Sequence, residues 1–371
     1  MIRRLLIGAA ALAAALTAPA ALARPVTDCP NRDAPFSAES PLIDILLSPA
    51  ARALLDRQMG GRLNKAPARF FGTEPPTFAA ILTMKEASRF TGMKPEAFAA
   101  LDAELRKVPV TPADKVARCA RYDNEVPQFD LPRGKPRLLM FEKINGFKDT
   151  PSVEAANAAI RAMAQRKGWA LAITDKGGAF NPRTLGQFDA VIWNNISGDV
   201  LTLSQRKAFV RWLQAGGAFV AMHGSAGDPV YFWDWYPDHL LGARFAGHPM
   251  NPQYQEARIA VNAAHPLAKG LPAEWRMTDE WYSFRTNPRA VGAQVVLTLD
   301  ESTYKPDGMG QNLRMGDDHP LAWTNCIGKG RMFYSAIGHR PETYVEPNHV
   351  TLLESAITWA ATDKRACPAK K

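Results

Sequence analysis

The sequence predicts an α/β protein in which helices flank a parallel sheet and a small helical module precedes that sheet. From residue 137 onward, short apolar runs alternate with amphipathic segments, an order that produces parallel strands with right-handed crossovers. Residues 24–134 show only helical spacing. The chain has 371 residues, of which 46% are hydrophobic and 22% charged, and this ordinary globular composition is sufficient for a large core.

The first 23 residues have the pattern of a signal peptide. Arg3 and Arg4 give a basic start, residues 5–20 are almost wholly apolar, and residues 21–23 offer a small-x-small cleavage site. A membrane anchor is the alternative, but the apolar run is short and ends at the cleavage site rather than at a stop-transfer pattern. We therefore expect a periplasmic or secreted protein without a membrane span after signal cleavage.

Residues 24–134 are expected to form the helical module and a linker. Apolar spacing predicts helices over Pro41–Arg57, Phe78–Phe90 and Pro95–Val108. Val126–Pro136 is rich in proline and predicts the linker. The module shows no site chemistry and weakly resembles helical appendages of other exported bacterial hydrolases. A partner protein could therefore dock on it.

Residues 135–362 are expected to form the α/β domain, and residues 363–371 a basic tail. The first part of this domain contains four predicted strands and two predicted helices: Arg137–Phe141, Ser152–Lys167, Ala170–Thr174, Ala190–Asn194, Leu203–Ala215 and Ala218–Met222. Four further strands and a closing helix follow, at Arg258–Val261, Val295–Thr298, Leu321–Thr324, Met332–Ser335 and Asn348–Thr362. Because ligands bind beyond the carboxyl ends of such strands, the residues after each strand are site candidates.

The net charge of +9 does not indicate a nucleic-acid partner. The charges are dispersed, and we find no basic stripe with a reading motif. The four cysteines match neither a zinc ribbon nor a CxxC redox site, and they allow three disulfide pairings. Cys29–Cys119 with Cys326–Cys367 would cross-link each region separately.

The stretch from Gly216 to Ser225 is the most informative in the chain. A glycine pair ends a helix, an apolar strand follows, and His223 stands at the end of that strand before small residues. This resembles the turn at which class I glutamine amidotransferases keep a nucleophilic cysteine. An imidazole can be a base or a metal ligand there, but it does not readily replace a thiolate. Cys326 is no substitute because no base lies near it in the sequence.

Several motifs together resemble the ThuA (trehalose utilisation) family over roughly residues 135–362. They include Asp279–Phe284, Leu299–Tyr304, Met315–Trp323, Gly330–Ser335 and Gly338–His339. The resemblance implies a flavodoxin-like sheet of the glutamine-amidotransferase type without the amidotransferase nucleophile. It also implies a role in the metabolism of disaccharides and their 3-keto derivatives.

One stretch departs from the family pattern. Members usually carry an aromatic–Arg–His trio after the first strand, whereas this chain has Phe147–Lys148–Asp149. The positive charge survives at Lys148, but Asp149 stands in place of the histidine.

Histidines and an acidic pair are the candidate catalytic groups. His223 and His339 each follow a predicted strand, and Asp279 lies next to Glu280 beside two aromatic residues. Proton abstraction next to a sugar carbonyl needs a base of near-neutral pKa, which burial or a neighbouring charge can give to a carboxylate. Helix capping or pairing with Arg285 or Arg289 is the alternative for the two carboxylates.

The same residues could hold a divalent metal such as zinc. Catalytic zinc takes histidine nitrogens and carboxylate oxygens and keeps one position open, and His223, Glu280 and His339 offer such ligands. No local HExxH or HxH spacing supports the metal. Acid/base and metal-assisted chemistry therefore both stay open.

Aromatic residues are concentrated at residues 231–236 and 281–284. Sugar rings present apolar C–H faces that suit exposed Trp and Tyr, although core packing is the alternative for such residues. The residues expected to contact substrate are Trp235, Trp281, Tyr282, His319 and Lys148. Together with the substrate class that the family resemblance implies, these residues predict an exported lyase or hydrolase of a disaccharide or 3-keto-sugar, and a non-catalytic carbohydrate-binding protein is the alternative.

Overall fold

The structure is a computed structural model that describes residues 25–65, 67–308, 310–365 and 367. The predicted signal peptide lies outside the described residues, as does the end of the basic tail. No helix in the described part of the chain is both long and apolar enough to cross a bilayer.

Nine strands form one mixed sheet in the described part of the chain, and four short strands form two separate pairs. The strands are β1 (Arg137–Phe141), β2 (Ala170–Thr174), β3 (Ala190–Trp193), β4 (Ala218–Met222), β5 (Phe245–Gly247), β6 (Tyr254–Val261), β7 (Glu274–Glu280), β8 (Ser283–Phe284), β9 (Gln294–Asp300), β10 (Asp307–Gly308), β11 (Gln311–Asn312), β12 (Pro320–Ile327) and β13 (Gly330–Ser335). The order of the large sheet is β2-β1-β3-β4-β13-β12-β9-β6-β7.

The half of the sheet from β2 to β13 is parallel, which confirms the predicted α/β class. The other half, from β13 to β7, is antiparallel. Four antiparallel steps separate β13 from β7, so these two strands run in the same direction. The carboxyl end of β7 therefore lies at the same edge of the sheet as the carboxyl ends of β1, β3, β4 and β13.

The strand order reverses at β1, which lies between β2 and β3. A reversal of this kind leaves a crevice at the carboxyl ends of the strands, because the connection from β1 to β2 and the connection from β2 to β3 run in opposite directions across the sheet. The crevice fixes where a site can form in this fold.

Helices account for most of the remaining regular structure. In the described residues they are α1 (Leu42–Leu47), α2 (Pro49–Gln58), α3 (Ala68–Phe71), α4 (Met84–Thr91), α5 (Pro95–Leu105), α6 (Pro112–Cys119), α7 (Thr150–Lys167), α8 (Pro182–Leu185), α9 (Leu203–Gln214) and α10 (Pro347–Thr362). Helix α10 packs on β3, β4 and β13, and α7 packs on β2. Their buried faces and the strands form one apolar core.

The amino-terminal helices differ from the predicted ones in two places. The single helix predicted over Pro41–Arg57 is broken at Ser48, which is extended because it precedes Pro49. The helix predicted over Phe78–Phe90 begins only at Met84, where the Thr83 side chain accepts a hydrogen bond from the Lys85 N–H and caps it.

The helical module has its own apolar core and also contacts the α/β region directly. The Tyr122 hydroxyl donates to Asp199 (2.9 Å), and the Leu203 N–H donates to the Asp28 carbonyl (3.0 Å). Phe129, in the stretch predicted as linker, packs edge-on against Phe188. The module is therefore fastened to the sheet region at several points.

Two disulfides are present in the described residues, Cys29–Cys119 and Cys326–Cys367. Of the three possible pairings, this is the one that joins cysteines within the same region. Because Cys326 is bonded to another cysteine, it has no free thiol to serve as a nucleophile.

Candidate functional site

A hollow opens at the carboxyl-edge crevice of the sheet. Its lining comes from the segments that follow β1, β3, β4, β7 and β13, whose carboxyl ends share one edge of the sheet. The lining residues are Phe147, Asp149, Ser152, Asn195, Ser197, His223, Gly224, Gly227, Asp228, Tyr282 and His339.

His223 occupies a constrained backbone position directly after β4. Its φ is +32°, a region that non-glycine residues rarely adopt and that is found chiefly where function requires it. The Nδ1 atom lies 2.7 Å from the Ala336 carbonyl, so Nδ1 carries the proton and donates it. In the neutral ring the Nε2 atom therefore keeps a free lone pair, and it is this atom that faces the cluster described next.

Three ligand atoms converge at the floor of the hollow. His223 Nε2 lies 3.2 Å from His339 Nδ1 and 3.4 Å from Glu280 Oε2. His339 Nδ1 lies 3.1 Å from the same Glu280 oxygen. In the described part of the chain this is the group of three ligating side chains that is compact enough for one metal ion. Glu280 itself is only 1% exposed and lies behind the two imidazoles, which do line the hollow.

The two partners His339 and Glu280 shift each other's pKa in opposite directions. Burial opposes ionisation of Glu280, but its interactions with the adjacent His223 and His339 imidazoles outweigh burial and lower the pKa of the carboxyl below its usual value. Burial also opposes the charged form of His339, yet Glu280 and then Asp149 raise the pKa of that imidazole overall. The two pKa shifts thus favour an ionised Glu280 carboxylate beside a protonated His339 imidazole.

Asp279 holds the loop that carries His339. Its two carboxylate oxygens accept hydrogen bonds from the N–H groups of Gly338 (2.7 Å) and Arg340 (3.0 Å). Burial raises the pKa of this fully buried carboxyl. Among the described residues Asp279 neither caps a helix nor pairs with an arginine side chain, and Arg289 pairs with Asp318 instead. Asp279 is therefore placed to position His339 rather than to touch a ligand.

Three polar contacts around the cluster were not predicted from the sequence. Gln253 donates its amide to Glu280 Oε1, and His248 Nδ1 lies 3.2 Å from the same oxygen. Asp149 Oδ2 lies 3.7 Å from His339 Nε2. Asp149 had a sequence signal, since it belongs to the stretch that departs from the family pattern.

Tyr282 stacks on the His223 ring, with 4.1 Å between ring centroids and 30° between planes. Its hydroxyl also limits the hollow, because a Cβ atom at Gly227 would lie 2.6 Å from it. Tyr282, which the sequence predicts to contact substrate, thus lies against the His223 imidazole and lines the hollow.

Comparison with known proteins agrees with this architecture. The profile of the ThuA family, described as trehalose utilisation, matches residues 137–360. The chain belongs to the ThuA family. The family prediction is therefore confirmed. No curated protein sequence matches the chain significantly.

A solved ThuA-like protein shares the fold of this chain. A ThuA-like protein from Bacteroides uniformis is 24% identical, covers 65% of this chain and 98% of its own, and has a TM-score of 0.54. Another, from Parabacteroides merdae, is 18% identical over 63% of this chain and 93% of its own, with a TM-score of 0.45.

Two residues predicted to bind substrate in this ThuA-family chain lie in the packed interior instead. Trp281 is fully buried, and its indole N–H donates to the Gln255 carbonyl (2.8 Å). His319 is also fully buried, with Nδ1 2.8 Å from Glu301 and Nε2 2.8 Å from the Tyr282 carbonyl. Both side chains already have their polar partners, and neither lines the hollow.

The other two predicted substrate contacts, Trp235 and Lys148, lie near the surface but outside the described lining of the hollow. Trp235 is half-buried and stacks on Trp233, with 5.3 Å between ring centroids. Lys148 is exposed beside Phe147, but only Phe147 belongs to the lining. None of the four side chains Trp235, Trp281, His319 and Lys148 belongs to the described lining of the hollow.

A second, aromatic hollow adjoins the first and shares Asp228 with it. Its rings come from Trp193, Tyr231 and Trp233, among others. The buried Asp228 carboxylate accepts hydrogen bonds from the Ser197 hydroxyl (2.6 Å) and from a backbone N–H. Burial outweighs these bonds and raises the pKa of Asp228 to about 7.

Proposed function

We propose that this ThuA-family protein is an exported enzyme that acts on a disaccharide or a 3-keto-sugar, as a lyase or hydrolase. Its reacting centre is a divalent cation, such as zinc, held by His223, Glu280 and His339. The observation that carries the proposal is the convergence of three electron-pair donors, from three different segments, on one point beside a hollow.

The spacing of the three atoms supports the cation. An ion about 2.1 Å from each ligand in tetrahedral geometry holds the ligands about 3.4 Å apart. The three separations in the cluster, from 3.1 to 3.4 Å, approach that value. With neutral imidazoles, a carboxylate and two nitrogen lone pairs repel one another at this distance unless a cation or a proton lies between them.

The surroundings of the ligands support the same assignment. Histidines that bind metals usually donate their other N–H to a carbonyl or a carboxylate, which fixes the ring. His223 does so toward Ala336, and the second nitrogen of His339 faces Asp149. A cation here would polarise a keto oxygen or lower the pKa of a water molecule. The hollow, bounded by Tyr282 and His339, supplies the approach for the sugar.

Sugar chemistry and export draw on separate support. The ThuA family is described by trehalose utilisation, which favours a disaccharide or its oxidised form. The signal-peptide pattern and the two disulfides both favour an oxidising compartment outside the cytoplasm.

The test is a product assay on the purified mature chain. Trehalose, other disaccharides and their 3-keto forms are incubated with enzyme that has been stripped by chelator, with and without added zinc. We expect turnover of at least one sugar that requires the metal, and its loss in His223→Ala. His239→Ala serves as the control because His239 is exposed and outside the cluster.

Identical product profiles for wild type and His223→Ala would overturn the catalytic assignment. Turnover that survives complete metal removal would exclude the cation and leave acid/base catalysis by the same residues. Calorimetry that detects sugar binding without turnover would favour a non-catalytic carbohydrate-binding protein.

A further inference from the structure

We infer that the amino-terminal helical module is a working part of the substrate site, because it holds the Phe147 ring in place as a platform for the C–H face of a pyranose. The nature of the ligand rests on the proposed function. The support of Phe147 by the module rests on contacts alone.

Phe147 is an exposed aromatic ring at the hollow. It is 42% exposed, and its ring is nearly parallel to the His339 imidazole, at 16° and 6.3 Å between centroids. Tyr254 is equally exposed, and its ring centroid lies 5.4 Å from the same imidazole. In the described part of the chain, these are the two aromatic residues among the large exposed apolar side chains. Both adjoin one proposed metal ligand, where apolar ring faces left in water indicate a binding surface.

The register of the sheet explains the position of Tyr254. Tyr254 begins β6 and pairs across the strands with Glu280, which ends β7. The same hairpin therefore delivers a buried carboxylate to the cluster and an exposed ring to its rim.

The module supports Phe147 from behind. The Phe78 ring packs on Phe147 with 5.3 Å between centroids, and the Phe70 ring packs on Phe78 at the same separation. Phe70 and Phe78 both belong to the module, so a continuous row of rings runs from its helices to His339. Removal of Phe78 would leave one face of Phe147 without a partner.

The backbone before Phe147 is clamped between the module and the sheet region. The Thr77 N–H donates to the Asn145 carbonyl, at 3.3 Å. At Gly146, a Cβ atom would lie 2.6 Å from the Ile81 side chain and 2.3 Å from the Ser197 hydroxyl. Such close approach leaves room only for glycine, so the loop has little freedom to move Phe147.

The module lies outside the residues that match the ThuA profile, which begins at residue 137. Phe147 lies within the matched part, but the rings that support it do not. The module is thereby assigned a role in substrate positioning rather than in docking a partner protein.

The test compares four variants of the full mature chain. Phe147→Ala removes the platform, Phe78→Ala removes its support, and Phe98→Ala removes a half-buried ring of the module that is not in the row. For the sugar that the wild type converts best, we expect KM to rise about tenfold in Phe147→Ala and at least threefold in Phe78→Ala, with kcat nearly constant. Phe98→Ala should keep the wild-type KM. The KM of Phe147→Trp should also stay low, because tryptophan keeps an aromatic ring at this residue.

A second measurement does not depend on the substrate. The imidazole C–H resonance of His339 in NMR spectra should shift when the neighbouring Phe147 ring is removed, and also in Phe78→Ala, but not in Phe98→Ala. Wild-type KM and wild-type resonance in Phe78→Ala would overturn the inference. A wild type that binds zinc but neither binds nor converts any sugar would instead overturn the proposed function and the pyranose as ligand.

Discussion

His223 Nε2 and Glu280 Oε2 lie 3.4 Å apart, although four strands of the sheet separate the strands that carry them. His223 follows β4 and Glu280 ends β7. The two side chains can meet because both strands end at the same edge of the sheet. The order and direction of the strands therefore bring the cluster together.

Zinc should stabilise the wild-type protein much more than it stabilises Glu280→Gln. An ion that binds only the native state adds about 2.7 kcal/mol to the free energy of unfolding at 100 times its Kd. The glutamine lacks the negative charge and should lose most of this gain. Thermal unfolding of chelator-stripped protein, with and without zinc, measures the shift. Glu301→Gln is the control, since Glu301 is also buried beside a histidine. Equal zinc shifts in Glu280→Gln and wild type would exclude Glu280 as a ligand.

Asp279→Asn should weaken zinc binding without removing a ligand. In the variant, the amide oxygen can still accept a hydrogen bond from the backbone N–H of either Gly338 or Arg340. The amide NH2 group faces the remaining N–H and cannot accept from it. Loss of such a positioning contact typically weakens metal affinity by about 10- to 100-fold. Titration calorimetry with zinc gives the affinity. Asp318→Asn, at a surface ion pair, should bind zinc as the wild type does. Wild-type affinity in Asp279→Asn would show that the loop does not depend on this carboxylate.

Asp228 should make stability depend on pH. Burial raises its pKa to about 7 in the folded chain, compared with about 3.9 in an unfolded one. Between these values the native state holds a proton that the unfolded state has released, so the free energy of unfolding falls as pH rises through this window.

Asp228→Asn should remove that slope, because an amide does not titrate in this range and its oxygen can still accept the hydrogen bond from the Gly198 N–H. The variant should exceed the wild type in stability at pH 8 by on the order of a few kcal/mol, but not at pH 4. Urea unfolding at the two pH values measures both differences. A constant difference between the proteins at both pH values would contradict the raised pKa.

Glycine should be tolerated better than alanine at residue 223. The φ of +32° strains any side chain with a Cβ, so His223→Gly should be more stable than His223→Ala by about 1 kcal/mol in chelator. At Met222, where φ is −126°, the order should be reversed. Urea unfolding of the four variants gives both comparisons. A glycine variant that is less stable than alanine at residue 223 would indicate that the turn carries no strain.

The parallel half of the fold could be predicted from the sequence because its strands are buried on both faces. Arg137–Phe141 and Ala218–Met222 are continuous apolar runs, and they form β1 and β4 with the predicted bounds. His223 was found in the same way, since the end of such a strand marks the crevice. Strand β7 was missed because it is not a continuous apolar run: it lies at the sheet edge, and exposed Glu274 and Arg276 alternate with buried residues along it.

The choice between Trp281 and Tyr282 shows what the sequence could not decide. The two aromatics are adjacent and chemically similar, yet one is sealed in the core and the other faces His223. Sequence periodicity reports which segments become strands and helices, since that depends on neighbours along the chain. The meeting of His223, Glu280 and His339, and the support of Phe147 by Phe78, depend on strand order and on packing between distant segments. Only the tertiary structure fixes those contacts.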